Sequence, residues 1–280
     1  MEVSFLKILI LSLFFMVPSD TNLPAINKDE PPFKFKLSPP GTVWLRDSVF
    51  IDVAPVSNMD YREFQAFVQI CYSKELRDSL KNLPLFGIDM NSFQSYMRLC
   101  GPDKLMAQKM KVPLDAPLSW NMTMNEYYNS PNYNKFPVVL LSYIQAAAYC
   151  DWRTDMTMLL FAGSSKDEKY RSKFYKKVKY RLPTIDEWSY AMEKFKANVF
   201  TNYWVYAGEK TATIEAFPQK KNLQFVYVPH NVAEMSIVEK TALGISWRDT
   251  DTTDNYAKTV SYSGPRDWLG FRCVCEILEY

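Results

Sequence analysis

Five cysteines and one histidine have the widest chemical reach in this 280-residue chain: Cys71, Cys100, Cys150, Cys273, Cys275 and His230. There is no C-x-x-C and His230 stands alone, so the ligand spacing of a structural zinc site is missing. Cys273 and Cys275 are one residue apart. On an extended strand their Cα atoms stand about 6.5–7 Å apart, at the edge of disulfide geometry and awkward for a shared metal. Asp249, Asp251 and Asp254 make an acidic loop that does not complete a calcium-loop pattern, so an ordinary polar loop is expected. Between Lys166 and Arg181 basic residues interleave with Tyr170, Phe174, Tyr175 and Tyr180. Lys169, Arg171, Lys173, Lys176 and Lys177 are the candidate partner surface there, suited to an acidic protein or an anionic lipid; a plain solvated helix face is the competing reading.

Compartment decides how the cysteines behave. The chain opens with an apolar run from Ile8 to Val17, closed by Pro18-Ser19-Asp20. That run has the length of a signal-peptide core and is short for a bilayer span. Residues 1–19 are therefore expected to direct export, although Glu2 weakens the basic start and no A-x-A cleavage site is present. An uncleaved anchor and an N-terminal core helix are the competing readings. The first cysteine is Cys71, so no residue near the cleavage point can carry a lipid. In an oxidising compartment the cysteines should pair where geometry permits, one being left over. The net charge of +2 supplies no field for nucleic acid, and the eight glycines form no phosphate loop. Asn121-Met122-Thr123 fits an N-glycosylation acceptor, relevant only in a eukaryotic host.

The elements that must position these residues follow from pattern. Residues 20–40 hold five prolines among charges and read as a linker, with the folded part, 41–280, starting near Gly41. Strand alternation appears in Thr42–Leu45 and Ser48–Val53, and short strands are expected at Pro137–Leu141 and Gly244–Trp247. The final strand, Gly270 to Ile277, puts Phe271, Cys273, Cys275 and Ile277 on one face. Three helix starts carry a capping box: Ser57 with Asp60, Ser142 with Gln145, and Thr184 with Glu187. No parallel βαβ rhythm is present, so the class is α+β with sparse regular secondary structure.

These pieces, in this order, resemble the formylglycine-generating-enzyme (sulfatase-modifying factor) family. Asp52–Asn58 with Tyr61-Arg62-Glu63-Phe64 resembles its opening strand and helix, and Phe136–Val139 through Ala148-Tyr149-Cys150 its next block. Tyr180-Arg181-Leu182-Pro183-Thr184 with Glu187-Trp188 and Tyr190-Ala191 resembles its most specific motif. Asn231–Met235, Gly244–Trp247 and Gly270–Cys273 resemble its closing motifs. The resemblance implies a C-type-lectin-like α+β fold. It assigns Cys150 and Cys273 a structural disulfide; Cys71 and Cys100 could form a second, leaving Cys275 free. It also implies a calcium site at Asn231 and Glu234, weakened here because Tyr227 replaces an upstream oxygen ligand and His230 a glycine, so a turn-capping role is expected and no cofactor is assigned.

Family enzymes hold copper on two cysteines between the Gly-Gly-Ser-Trp-like strand and Gly-Phe-Arg. Here residues 248–269 contain neither cysteine nor histidine, which implies a non-catalytic member. Cys150-Asp151-Trp152-Arg153-Thr154-Asp155, followed by a basic insertion at about 153–179, resembles the gliding-motility and type IX secretion lipoproteins built on this domain. The expectation is an envelope scaffold or binding protein, periplasmic or outer-membrane associated, with secretion or motility proteins as partners. It would not bind nucleic acid or span the membrane once the signal is removed. An enzyme of altered chemistry and a glycan-binding module are the alternatives.

Overall fold

The computed structural model describes residues 36–195, 225–249 and 257–280. The expected signal and most of the Pro-rich segment lie outside them. Residues 36–40, expected to be linker, are instead held on the domain. Leu37 N–H donates to Lys173 O, Lys36 Nζ to the carbonyls of Ser172 and Phe174, and Pro40 O accepts from Arg153 and from the Tyr180 hydroxyl.

Strand β1 (Thr42–Arg46) turns back into β2 (Val49–Asp52). Helices α1 (Asn58–Ile70) and α2 (Lys74–Lys81) follow, then short helices at Met90–Cys100, Lys104–Lys109 and Met124–Asn129. Helix α3 (Tyr143–Ser164) leads through a short turn to β3 (Lys177–Arg181) and α4 (Ile185–Lys194). Strands β4 (Ala233–Met235), β5 (Thr241–Leu243), β6 (Thr259–Ser261), β7 (Leu269–Gly270) and β8 (Val274–Glu279) complete the described chain. One antiparallel sheet runs β1-β2-β8-β3 and a second runs β6-β5-β4-β7, in which β4 and β7 are parallel. The fold is α+β.

All three capping boxes form. Ser57, Ser142 and Thr184 each accept from the backbone of the residue three ahead, whose side chain answers the cap N–H, so α1, α3 and α4 begin where the pattern places them. The β1-β2-β8-β3 sheet is buried on both faces. Phe50, Val178, Tyr180, Cys275 and Ile277 enter the main core with α1 and α3, while Leu45, Ile51 and Val274 pack on Trp188, Ala191 and Met192 of α4. As expected, Phe271, Cys273, Cys275 and Ile277 share the main-core side, although the ladder starts only at Val274.

Two expected strands fail for backbone reasons. Pro137–Leu141 is buried but makes only a single bridge, Ser57 with Pro137, and Leu140 lies in the left-handed region at φ 57°. Gly244 has φ +86° and turns the chain out of β5 before Trp247. A Cβ at Gly244 would stand 2.7 Å from the Tyr227 hydroxyl, which itself accepts from Ile245 N–H. The stretch expected as a basic insertion contributes to the core along its first half and at scattered positions beyond. Residues 153–164 are the last three turns of α3, with Met156, Leu159, Leu160 and Phe161 buried, and Phe174, Tyr175 and Val178 are buried beyond it.

Candidate functional site

Beside the turn that follows β5, aromatic rings gather around a small recess. Trp120 and Trp247, both half-buried, meet edge to face at 6.0 Å, and Tyr133 and Phe136 stand 4.9 Å apart beside them. Arg248 lies over Trp268 at 4.7 Å, and Trp247 Nε1 points to Asp267 O. Asp249 accepts from Ser246 N–H and Oγ and from Lys258 Nζ, so it is a turn-fixing carboxylate. Asp251 and Asp254 lie outside the described residues.

Glu234 is not placed as a calcium ligand. Its Oε1 and Oε2 accept from Nη2 and Nε of Arg272 at 2.7 and 2.5 Å, with both side chains at most 1% exposed. Both carboxylate oxygens are thus engaged by the guanidinium, which gives Glu234 a structural role in the described residues. Burial pushes the Glu234 carboxyl up against the pull of Arg272. Arg272 also donates to Asp52 O and Val226 O and lies against the rings of Trp188 and Phe225. Asn231 is buried, bridges to Ser246, and its carbonyl accepts from Trp247 N–H; it serves the turn. His230, at the family's glycine position, adopts φ 59°, a left-handed conformation that histidine tolerates better than most residues.

The cysteines fall into two groups. Cys150 on α3 and Cys273 before β8 approach to 3.4 Å between sulfurs, both buried. Cys275 is equally buried, and burial raises its thiol while a hydrogen bond with Tyr180 opposes that rise. At the end of α1, burial and the nearby Cys100 push the Cys71 thiol up to about 12.

The basic stretch divides in the same way. Lys169, Lys173, Lys176 and Lys177 are exposed. Arg171 is 5% exposed, and its guanidinium donates to Tyr175 O and Lys176 O, so it closes the turn before β3 and leaves the partner surface. Lys81, Lys176 and Lys177 line a recess of about 450 Å³ floored by Thr154, Asp155 and Met158.

In that floor the Tyr72 hydroxyl donates to Asp155 Oδ2 at 2.5 Å. Burial raises the Asp155 carboxyl to about 6; the Tyr72 bond, Lys81 and Arg77 pull it down, and Asp151 pushes it up. The folded chain therefore holds this proton more tightly than the unfolded chain, and stability falls as pH rises from about 4 to about 6. Two pKa units correspond to about 3 kcal/mol, reduced to about 1–2 kcal/mol for the part of the carboxyl that meets solvent. Asp155→Asn is expected to raise stability by about 1–2 kcal/mol at pH 7.5 and by almost nothing at pH 4. Urea midpoints at the two pH values check this, and a loss at pH 7.5 would contradict it.

Pattern reading missed Asp52, Arg153 and Tyr72 as polar core residues. Asp52 Oδ2 accepts from Arg153 Nη1 at 2.6 Å and from Cys273 N–H at 2.8 Å. The only local signal was helical spacing: Trp152 and Arg153 fall on one side of α3, Thr154 and Asp155 on the other.

The sequence matches the sulfatase-modifying factor enzyme 1-like domain family (FGE-sulfatase) over residues 19–232. The chain belongs to that family. Among curated proteins, none matches significantly. Among solved structures, Treponema denticola variable protein 1 is similar at 17% identity, covering 91% of this chain and 93% of that one with a TM-score of 0.39. No helix among the described residues is long and apolar enough to cross a membrane.

Proposed function

We propose that this chain is a non-catalytic binding protein of an exported envelope assembly, of the gliding-motility and type IX secretion kind, located in the periplasm or at the outer membrane. The observation that carries the proposal is the absence of cysteine and histidine from residues 248–269. The half-buried rings of Trp120, Tyr133, Phe136 and Trp247, just before that interval in space or sequence, offer a contact surface. The thiols of Cys150, Cys273 and Cys275 are all buried and give a copper ion no access to a substrate cysteine. Aromatic rings at a partly open face supply large contact area at small entropic cost, as protein interfaces require.

The exposed lysines Lys169, Lys173, Lys176 and Lys177 supply a second, cationic face for an acidic partner. A glycan-binding module is the second reading, favoured by the Trp120–Trp247 pair. Crosslinked affinity capture from native envelope is expected to recover secretion or motility proteins in near-stoichiometric amount. Copper-dependent oxygen consumption with a cysteine peptide would sink the non-catalytic reading, and saturable binding on a glycan array with no protein recovered would favour the second.

A further inference from the structure

The short helices Met90–Cys100 and Lys104–Lys109 are joined by a tight corner that carries the barest apolar side chains of the domain. Leu99, in the last turn of the first helix, is 85% exposed, the highest value of any large apolar side chain among the described residues. Leu105, in the first turn of the second, is 66% exposed, equalled only by Ile144. Single exposed leucines are ordinary in a soluble domain, whereas two on one corner form a patch.

The corner is held in place, so this exposure is not fraying. Gly101 takes φ 67°, and Asp103 caps the second helix by accepting from Met106 N–H. Arg77 of α2 reaches Asp103 and Met106 Sδ, and Ser79 of α2 shares a hydrogen bond with Tyr96. Just past the second helix, Met110 O accepts from Tyr61 and Gln65 of α1. Phe93, Tyr96, Met97, Cys100 and Met106 pack inward on the main core. Helical spacing then leaves Arg98 outside with Leu99, and sets Lys104 and Lys109 on either side of Leu105.

The cations around the leucines are not neutralised. Arg98, Lys104 and Lys109 are exposed and make no ion pair, hydrogen bond or ring contact among the described residues. Between residues 98 and 111 the only carboxylate is Asp103, which Arg77 already meets. Glu75 of α2 acts on Tyr96, on the side of the helix opposite Arg98. Leucines ringed by free cations match a surface that is apolar inside and anionic at its boundary. A protein interface concentrates aromatic contact and keeps charge to its rim, whereas here Lys104 stands between the two leucines in sequence. The other basic face lacks this combination: Lys176 pairs with Glu279, and Lys173 lies over Tyr170.

We propose that this corner seats the domain on an anionic phospholipid bilayer. Leu99 and Leu105 enter the boundary between headgroups and acyl chains. Arg98, Lys104 and Lys109 meet the lipid phosphates, their stems lying along the apolar layer. The inference stands apart from the scaffold reading, because it uses neither the aromatic recess nor Lys169, Lys173, Lys176 and Lys177.

Co-sedimentation with sucrose-loaded vesicles tests it, comparing equimolar phosphatidylglycerol and phosphatidylcholine with phosphatidylcholine alone. The chain is used from Asp20 onward, because the apolar run Ile8–Val17 would partition by itself and every contact described here lies beyond it. Binding to the anionic vesicles is expected to be saturable and, at low salt, about a hundredfold tighter than to the neutral ones, each of three cations contributing about fivefold. Leu99→Ser with Leu105→Ser is expected to weaken it by about tenfold or more, with the far-ultraviolet circular dichroism unchanged. Lys169→Gln with Lys173→Gln, on the other basic face, is expected to leave it unchanged. No saturable binding, equal binding to neutral vesicles, or full binding by the leucine variant would overturn the proposal. So would a loss confined to the Lys169 and Lys173 variant, which would move the lipid contact to that face. Capture of one protein by the parent but not by the leucine variant, without vesicle binding, would overturn it by making a protein the occupant.

Discussion

Replacing Arg272 by methionine is expected to lower stability by about 3–5 kcal/mol, because it leaves the Glu234 carboxylate buried and unpaired. The side chain is 0% exposed and holds four partners at once: both oxygens of Glu234, Asp52 O at the end of β2, and Val226 O. These partners come from segments 38, 46 and 220 positions away, so the guanidinium ties the two sheets and the segment before β4 into one body. Domain stabilities are about 5–15 kcal/mol, so a loss of this size removes a large share of the margin. Urea unfolding followed by far-ultraviolet circular dichroism measures it. Arg272→Met with Glu234→Leu is expected to be more stable than Arg272→Met alone, since the lone carboxylate is gone, yet short of the parent because the two carbonyls lose their donor. A loss below about 1 kcal/mol in the single variant would mean that water reaches Glu234 and the pair is not a buried one.

How far the sequence disclosed this arrangement depends on whether a feature is local. Helix starts are decided by four consecutive residues, and Ser57, Ser142 and Thr184 all cap as their spacing predicts. Strand boundaries were less legible. The apolar stretch Pro137–Leu141 was expected to pair, but Leu140 takes a positive φ and its N–H goes to Arg266 O, a distant loop. An apolar run reports burial, and burial does not require a ladder. The basic stretch misled for a related reason. Charge in the sequence suggested exposure, yet Arg171 bonds two carbonyls four and five residues on and is buried. The apolar period Met156, Leu159, Leu160 carries α3 on into the stretch with the basic residues.

At the candidate site the family motifs located Glu234 and brought Cys150 and Cys273 together, but did not give the partner of Glu234. Glu234 was expected to cap a turn, with calcium as the weaker reading; instead Arg272, 38 positions on, takes both its oxygens. Asp52 and Arg153 are 101 residues apart, and nothing near either one announces the other. Long-range pairing of charges depends on the packing of sheet against helix, which the pattern of single residues does not encode. The buried atoms Asp52 Oδ1 and Trp152 Nε1, which have no hydrogen-bond partner, are visible only once that packing is known.

In an oxidising compartment Cys150 and Cys273 are expected to be joined, and breaking that bond to lower stability by about 4–5 kcal/mol in the chain-entropy account. The two sulfurs lie 3.4 Å apart across 123 positions of sequence, so a modest side-chain rotation brings them to bonding distance and closes a long loop. The neighbourhood also predicts when the bond forms. Burial drives the Cys273 thiol far above its ordinary value, Cys150 pushes it further, Asp52 adds to this, and Arg153 opposes it. A buried thiol of that kind yields almost no thiolate, the form that attacks in thiol–disulfide exchange. The bond is therefore expected to form while the chain is still open, and its burial to protect it from reductants as long as the fold is intact. Two measurements check this. Non-reducing peptide mapping of protein recovered from the exporting compartment should give the Cys150–Cys273 crosslink. Adding reductant to folded protein should leave it intact at low urea and lower the urea midpoint only where the chain opens. A crosslink between Cys275 and either partner, or rapid reduction without denaturant, would show that the core around β8 is looser than its packing implies and would remove the disulfide as a stabilising element.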